Sequence, residues 1–415
     1  MTMWEGGGTV PPELAVARRL IARGHQVHVL ADPTIAAAAE AAGCTFSPWR
    51  RAPHRTSSEP SQELFADWKT RNPLVMLQRV FCPIEVGPAA DYAADTAEAI
   101  EAVHPDVVVP DAFLFGSVIA GEAMRVPVAL LVPNIWIIPI AGTAPAGPGF
   151  APARTALGRT RDAAMLAIAT RLSRADLPEL NLARSAHGLA PLTSFYDQAL
   201  GADRILVLTS PVFDYASASV PANVSYVGPV LDDPTWAEPW TPPWPDDNND
   251  PIVLVSFSST DQKQGPVLRR VVEALTTLPV RGLVTLGQGV GAEPVSSTTN
   301  VAVVRSAPHR QVLAEAWLVV CHCGHGITMK TLAAGVPMVC IPMGRDQNDT
   351  AARVVYHGAG VRLPATAATT RIRTAVERVV GDGRFRANAA RLASAIAEGG
   401  GTTDVVAELE SLPGR

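Results

Sequence analysis

Val319-Val320-Cys321-His322-Cys323-Gly324-His325-Gly326-Ile327-Thr328-Met329-Lys330 carries an apolar strand into a glycine-bearing turn and on into a helical pattern. The strand ends near His322, and the glycines let the backbone turn tightly. The helix runs from about Gly326 to Ala334, where Gly335 and Pro337 stop it. The open amides of such a helix start form an anion site, with a dipole equivalent to about half a positive charge. His322 adds a donor for the same phosphate, so the turn can hold a diphosphate without metal. A zinc site on Cys321, Cys323, His322 and His325 is the other reading of these residues. Alternation along the strand opposes it, sending the two cysteines to one face and His322 to the other. No second Cys/His pair stands nearby to complete a tetrahedron.

The next residues strengthen the anion reading. Gly335-Val336-Pro337 leads to a strand at Met338–Ile341, then to Pro342-Met343-Gly344-Arg345-Asp346-Gln347 and Ala351-Ala352-Arg353. Asp346 and Gln347 fall just past the strand's carboxyl end, where open α/β sheets bind ligands. A carboxylate beside an amide suits sugar hydroxyls, and a helix N-cap by Asp346 is the alternative.

Outward from this stretch, short apolar runs alternate with helical patterns. Further strands are expected at Ile252–Phe257, Gly282–Leu286, Val301–Arg305 and Leu318–His322, and earlier at Gln26–Leu30, Asp106–Val109, Val128–Val132 and Arg204–Thr209. Leu14, Ala17 and Ile21 recur at helical spacing, with Gly24 placed to end that helix in a left-handed conformation. The fold class is α/β, two facing doubly wound (Rossmann-like) domains with a cleft between them. At 415 residues the chain is long enough for both. We divide it into residues 1–229, a Pro-, Trp- and Asp-rich linker over 230–251, a second domain over 252–383 and a helical segment over 384–415. Asp246, Asp247 and Asp250 of the linker read as solvated charge rather than a metal cluster.

The first strand is short: Met1-Thr2-Met3-Trp4 enters the run Gly6-Gly7-Gly8 at once. A doubly wound domain reaches its first turn from a strand of about five or six residues, so the start is expected to lie inside the first strand.

Apolar residues make up 47% of the chain and charged ones 18%, with a net charge of −5, which excludes a disordered chain and a nucleic-acid or polybasic membrane surface. Five cysteines do not make a disulfide framework. Prolines and Asn134 interrupt the run Val126–Ala141, which falls short of the roughly 20 apolar residues that span a bilayer. The expectation is a soluble cytoplasmic monomer or homodimer that binds small molecules.

From Pro251 to Arg362 the sequence resembles the donor half of the family 1 glycosyltransferases, the two-domain inverting enzymes of GT-B architecture. It is especially similar to the actinomycete branch that glycosylates macrolides and other natural products. The family pattern is His-Gly-Gly-x-Gly-Ser/Thr, then Gly-Val-Pro, Asp-Gln and Asn-Ala. The resemblance implies that His322 and the amides of Gly324, Gly326 and Ile327 hold the diphosphate of a UDP- or dTDP-sugar. It further implies that Asp346 and Gln347 contact the hexose, that Ser258 and Ser259 face the phosphates, and that the backbone of Ala307-Pro308-His309 meets the pyrimidine. No metal or other cofactor is implied. Gly287-Gln288-Gly289-Val290-Gly291 is read as a loop, because no helix pattern follows it.

Three positions depart from the pattern. The family's Gly-His-Val-x-Pro turn appears as Gly8-Thr9-Val10-Pro11-Pro12, so Thr9 stands where family members carry the general base. A threonine hydroxyl takes no proton near neutral pH, which removes a step worth ~10²–10⁴-fold in rate. Asp111 falls where the family places the aspartate that orients that histidine. It could act as base itself or through a water that Thr9 holds; the acceptor could be acidic enough to need little help; or the protein could bind a sugar nucleotide without transferring it. Ile327 replaces a hydroxyl residue, and Thr350 replaces the Asn, each losing a hydrogen-bonding group worth ~0.5–1.5 kcal/mol. Acceptor specificity is assigned to the segments 46–83 and 133–152, with Trp49, Phe65, Trp68, Phe81 and Trp136 as candidate walls of an aglycone pocket. A nicotinamide oxidoreductase is disfavoured, since no Gly-x-Gly-x-x-Gly with an acidic residue about 20 positions on is present.

Overall fold

The computed structural model describes residues 1–57, 62, 85–140, 143–215, 220–233, 240–245, 247–258, 262–287 and 295–412. In the first half, β1 (His28–Ala31) pairs in parallel with β2 (Thr45–Pro48), and β3 (Ala129–Val132), β4 (Arg204–Val207) and β5 (Val224–Tyr226) form a parallel sheet in that order. The segment expected as a strand at Asp106–Val109 joins these pieces through single bridges. Thr2 bridges Leu30 and Pro110, Val108 bridges Val128, and Asp111 bridges Leu131. Pro105 and Pro110 lack amide protons, so a regular ladder cannot form there.

The second half is more regular. β6 (Ile252–Ser256), β7 (Arg281–Thr285), β8 (Val301–Val304), β9 (Ala316–Cys321), β10 (Met338–Cys340) and β11 (Gly360–Arg362) make one six-stranded sheet, ordered β11-β10-β9-β6-β7-β8 and parallel throughout. In chain order this is 3-2-1-4-5-6 read from its β8 edge, the doubly wound order, with its switch point between β6 and β9. Alternate residues enter separate cores. Leu254, Val319, Cys321 and Met338 pack on one face, and Val253, Val255, Val320 and Val339 on the other. A sheet buried on both faces reads as continuous apolar runs, which is why these strands were legible.

The helix Val10–Ala22 follows the first turn, and Gly24 takes φ +93° just beyond it. The segment read as a linker is anchored, with Trp240 and Trp244 buried beside the second sheet. The helical tail is two helices, Gly383–Ala397 and Val405–Glu410, separated by Gly399 and Gly401 at positive φ. Ala389 and Leu392 of the first pack in the second-half core, while Val405, Val406 and Leu409 of the other join the core of the first half. Among the described residues, no helix is long and apolar enough to cross a membrane.

Candidate active site

Between the two halves lies a cavity of about 1390 Å³, lined from both sides. On the second-half wall, the switch point brings Ser258 (after β6) and His322 (after β9) to the same rim, with Ala307, His309, Gly324, Gly326, Ile327, Asp346 and Gln347. Ser259 lies outside the described residues.

The anion turn has the expected form: β9 ends at Cys321 and the helix His325–Ala333 begins after Gly324. A Cβ at Gly324 would stand 2.5 Å from His322 Nε2, so only glycine lets the imidazole lie over the turn. His322 also stacks on Phe257 at 6.1 Å. Burial lowers its pKa to about 4, so at neutral pH the ring is uncharged and can offer an N–H donor to the cavity. Cys321 and Cys323 sit side by side, their sulfurs 3.8 Å apart and fully buried. Cys323 also fills the first glycine position of the family turn, a departure the sequence reading passed over. It keeps the glycine-like backbone, at φ +65°, a conformation costing an L-residue roughly 1–2 kcal/mol.

Asp346 occupies the N-cap position of the helix Gln347–Tyr356 without capping it, and its Oδ2 has no partner. Burial raises this carboxyl to about 6. Gln347 lines the cavity beside it, and its side chain is already engaged. Its Oε1 accepts the amides of Met343 (2.7 Å) and Gly344 (3.1 Å), and its Nε2 donates to Gln262 Oε1 at 2.9 Å. Gln262 Nε2 in turn donates to Ser258 Oγ at 3.1 Å. This chain of amides locks the loop after β10 to the loop after β6. Sequence reasoning missed Gln262, because a polar residue in a loop has no periodic signal.

The first-half wall is apolar. Trp136 lines it, with its Nε1 unpartnered. The helix Ala156–Ser173 buries no residue of its own but turns Met165, Leu166, Ile168 and Leu172 to the cavity. Trp68, Phe81 and Phe65 lie outside the described residues. Trp49 is a core residue instead, its Nε1 donating to the Met3 carbonyl at 3.0 Å while its ring packs edge-on against Tyr92. Thr9 lines the cavity with its hydroxyl unpartnered. Asp111 does not reach the cavity: it is 1% exposed, and its Oδ1 accepts Trp4 Nε1 (3.1 Å) and the Phe113 amide (2.8 Å). The neighbouring Glu13 is pushed far above the carboxylate range by burial and by the charge of Asp111. Direct proton removal by Asp111 therefore lacks access.

Two contacts tie the walls together. Arg353 donates to Asp214 Oδ1 (2.8 Å) and lies over the Tyr215 ring, while Asp214 Oδ2 accepts the Trp136 amide at 2.8 Å. Asp349 accepts the amides of Gly147 and Gly149, strapping the loop after Trp136 onto the helix Gln347–Tyr356.

The buried carboxyl of Asp346 and the glycine turn of Gly324 and Gly326 thus face an apolar wall across one cavity, and the chain's relatives can be set beside that arrangement. It is 31% identical over 415 residues to 4'-demethylrebeccamycin synthase of Lentzea aerocolonigenes, covering 98% of this chain and 97% of that one. The chain belongs to the natural-product glycosyltransferases. Residues 269–412 of this glycosyltransferase match the family model described as Erythromycin biosynthesis protein CIII-like, C-terminal domain. Demethyllactenocin mycarosyltransferase of Streptomyces fradiae is 26% identical, covering 98% of this chain and 84% of the relative. The fold matches the solved glycotransferase of kitacinnamycin, with a TM-score of 0.76 and 23% identity over 99% of this glycosyltransferase and 97% of that chain. It also matches the calicheamicin glycosyltransferase, with a TM-score of 0.73 and 22% identity over 98% and 96% of the two chains.

Proposed function

We propose that the protein is an inverting hexosyltransferase that moves a hexose or deoxyhexose from a UDP- or dTDP-sugar to a large apolar aglycone, polyketide or aromatic. The observation that carries this reading is one cavity lined by His322, the turn amides and Asp346 on one wall and by Trp136 and the Ala156–Ser173 helix on the other. A single displacement at the anomeric carbon fits a cleft that receives donor and acceptor from opposite sides, and it inverts configuration. As the bond to the diphosphate breaks, negative charge grows on the leaving oxygen. The helix-start amides and the neutral His322 N–H meet that charge, with no metal assigned a part.

The relatives' activities, a 4'-demethylrebeccamycin synthase and a demethyllactenocin mycarosyltransferase, support a natural-product acceptor. One structural neighbour, a spinosyn rhamnosyltransferase, was solved with thymidine diphosphate, which supports a dTDP-sugar. A second reading, donor binding without transfer, is motivated by Thr9 alone.

The test is a thermal-shift series with UDP, dTDP and their glucose conjugates, followed by mass and NMR analysis of products from an aromatic acceptor panel. Stabilisation by one nucleotide and a glycoside of inverted anomeric configuration are expected. Stabilisation with no glycoside from any acceptor favours the second reading.

A further inference from the structure

Three carboxyls stand in the first half, Asp111 with Glu13 and Glu85 that each feel its charge, and they differ in access. Glu13 and Asp111 are each 1% exposed and line no part of the cavity. Glu85, just before the helix Ala89–Val103, lines it while remaining 5% exposed, and its Oε2 has no hydrogen-bond partner. Its surroundings are apolar: the adjoining Val86 packs in one cluster with Phe115, Trp136 and Phe195. Leaving a buried carboxyl oxygen without a partner in such surroundings is costly, and the cost needs an explanation. Thr9 Oγ1 and Trp136 Nε1 are unpartnered on the same cavity. The chamber therefore presents a carboxyl acceptor, a hydroxyl and an indole donor amid apolar walls. An apolar aglycone with an ionisable N–H or O–H answers that pattern.

We propose that Glu85 is the catalytic base that removes the proton from the aglycone's attacking N–H or O–H, the task left vacant at Thr9. This rests on the glycosyl-transfer reading above. Ionised Glu85 takes the proton through Oε2, and the electron pair of the N–H or O–H forms the new bond to the anomeric carbon. The bond from that carbon to the diphosphate oxygen breaks, and its electrons leave with the nucleoside diphosphate. The proton stays on Glu85 until product departs and solvent removes it.

The groups that face Glu85 electrostatically are Asp111, Asp176 and Tyr196. Burial, then the charges of Asp111 and Asp176, raise its carboxyl well above the ordinary range. A carboxyl so raised is a stronger base once ionised, and the ionised fraction grows with pH. Transfer should accordingly accelerate with rising pH until Glu85 is fully ionised.

The experiment uses the full chain with dTDP-glucose or UDP-glucose, the more acidic 2-naphthol and the less acidic 2-naphthylmethanol among the panel acceptors, and product quantified by mass spectrometry. With an acceptor that wild type glycosylates, E85Q should lose about 10²–10⁴-fold in kcat/KM and its pH dependence, while nucleotide-induced thermal stabilisation stays as in wild type. The loss should be smaller for 2-naphthol than for 2-naphthylmethanol. Wild-type kcat/KM and pH profile in E85Q would overturn the assignment of Glu85 and leave glycosyl transfer standing. No glycoside from wild type with any acceptor would overturn both. Should E85Q not fold, E85D carries the test: a lowered kcat with a displaced pH profile supports the proposal, and an unchanged profile defeats it.

Discussion

In the second half, each strand that reaches the cleft belongs to one continuous six-stranded ladder, whereas in the first half the segment that delivers Asp111 is held by single bridges between short sheets. The donor wall is correspondingly dense in mutual hydrogen bonds: Ser258, Gln262 and Gln347 fix one another across two loops. The acceptor wall is apolar and holds unpartnered polar atoms at Thr9, Glu85 and Trp136. The difference suits what the proposed function has each wall receive. A nucleotide sugar carries many fixed donors and acceptors and rewards pre-set geometry. An aglycone is mostly apolar and needs a chamber with a few polar points.

Four experiments press on that contrast. The largest effect is expected where the walls are joined: D214A leaves Arg353 as a buried unpaired charge and should cost about 3–5 kcal/mol in unfolding free energy, read from urea titrations. A cost under 1 kcal/mol would mean the halves are not joined through this pair. On the donor wall, H322A should lower kcat about 10²–10³-fold while hardly moving the acceptor KM, as removal of a transition-state donor does. A change confined to acceptor KM would show that His322 faces the wrong substrate.

Asp346 sharpens the contrast through pH. Its carboxyl titrates near 6, raised by burial, so it is neutral below that pH and a strong acceptor above it. Donor affinity measured by calorimetry should therefore rise between pH 5 and 7, and D346N should abolish the rise and weaken binding roughly 10-fold at pH 7.5. A pH-independent donor affinity in wild type would remove Asp346 from the sugar site. The smallest effect belongs to Glu13, whose raised pKa means that folding holds a proton the unfolded chain releases above pH 4.5. Stability from that proton is complete below pH 4.5 and falls as pH climbs toward the folded pKa. E13Q should match wild type within about 0.5 kcal/mol at pH 4 and become the more stable protein as pH rises through 7 to 9. Equal melting temperatures at pH 4 and pH 9 would argue that Glu13 is ionised throughout.

Much of the donor wall was legible because its strands are continuous apolar runs and its site residues follow strand ends at family spacing. β11 was missed, since Gly360-Val361-Arg362 is too short and too mixed to stand out. On the other wall, Thr45–Pro48 fell inside a stretch read as irregular, and Val224–Tyr226 offered only three half-buried residues. Trp49 was read as a pocket wall because a tryptophan's sequence position does not reveal which side it faces. Glu85 was invisible for a related reason: an isolated acidic residue reads as solvated surface, and only the fold buries it.

The grip of Asp349 on Gly147 and Gly149 makes one body of the helix Gln347–Tyr356 and the loop after Trp136. A Cβ at Gly149 would stand 2.3 Å from the Asn348 carbonyl, so the strap is a close backbone fit. The same helix begins at Gln347, beside Asp346. Whatever settles that helix start also sets the strap, which lines the same cavity. On the proposed function, a donor that settles the helix start would also hold the strap, which would favour ordered addition of the two substrates.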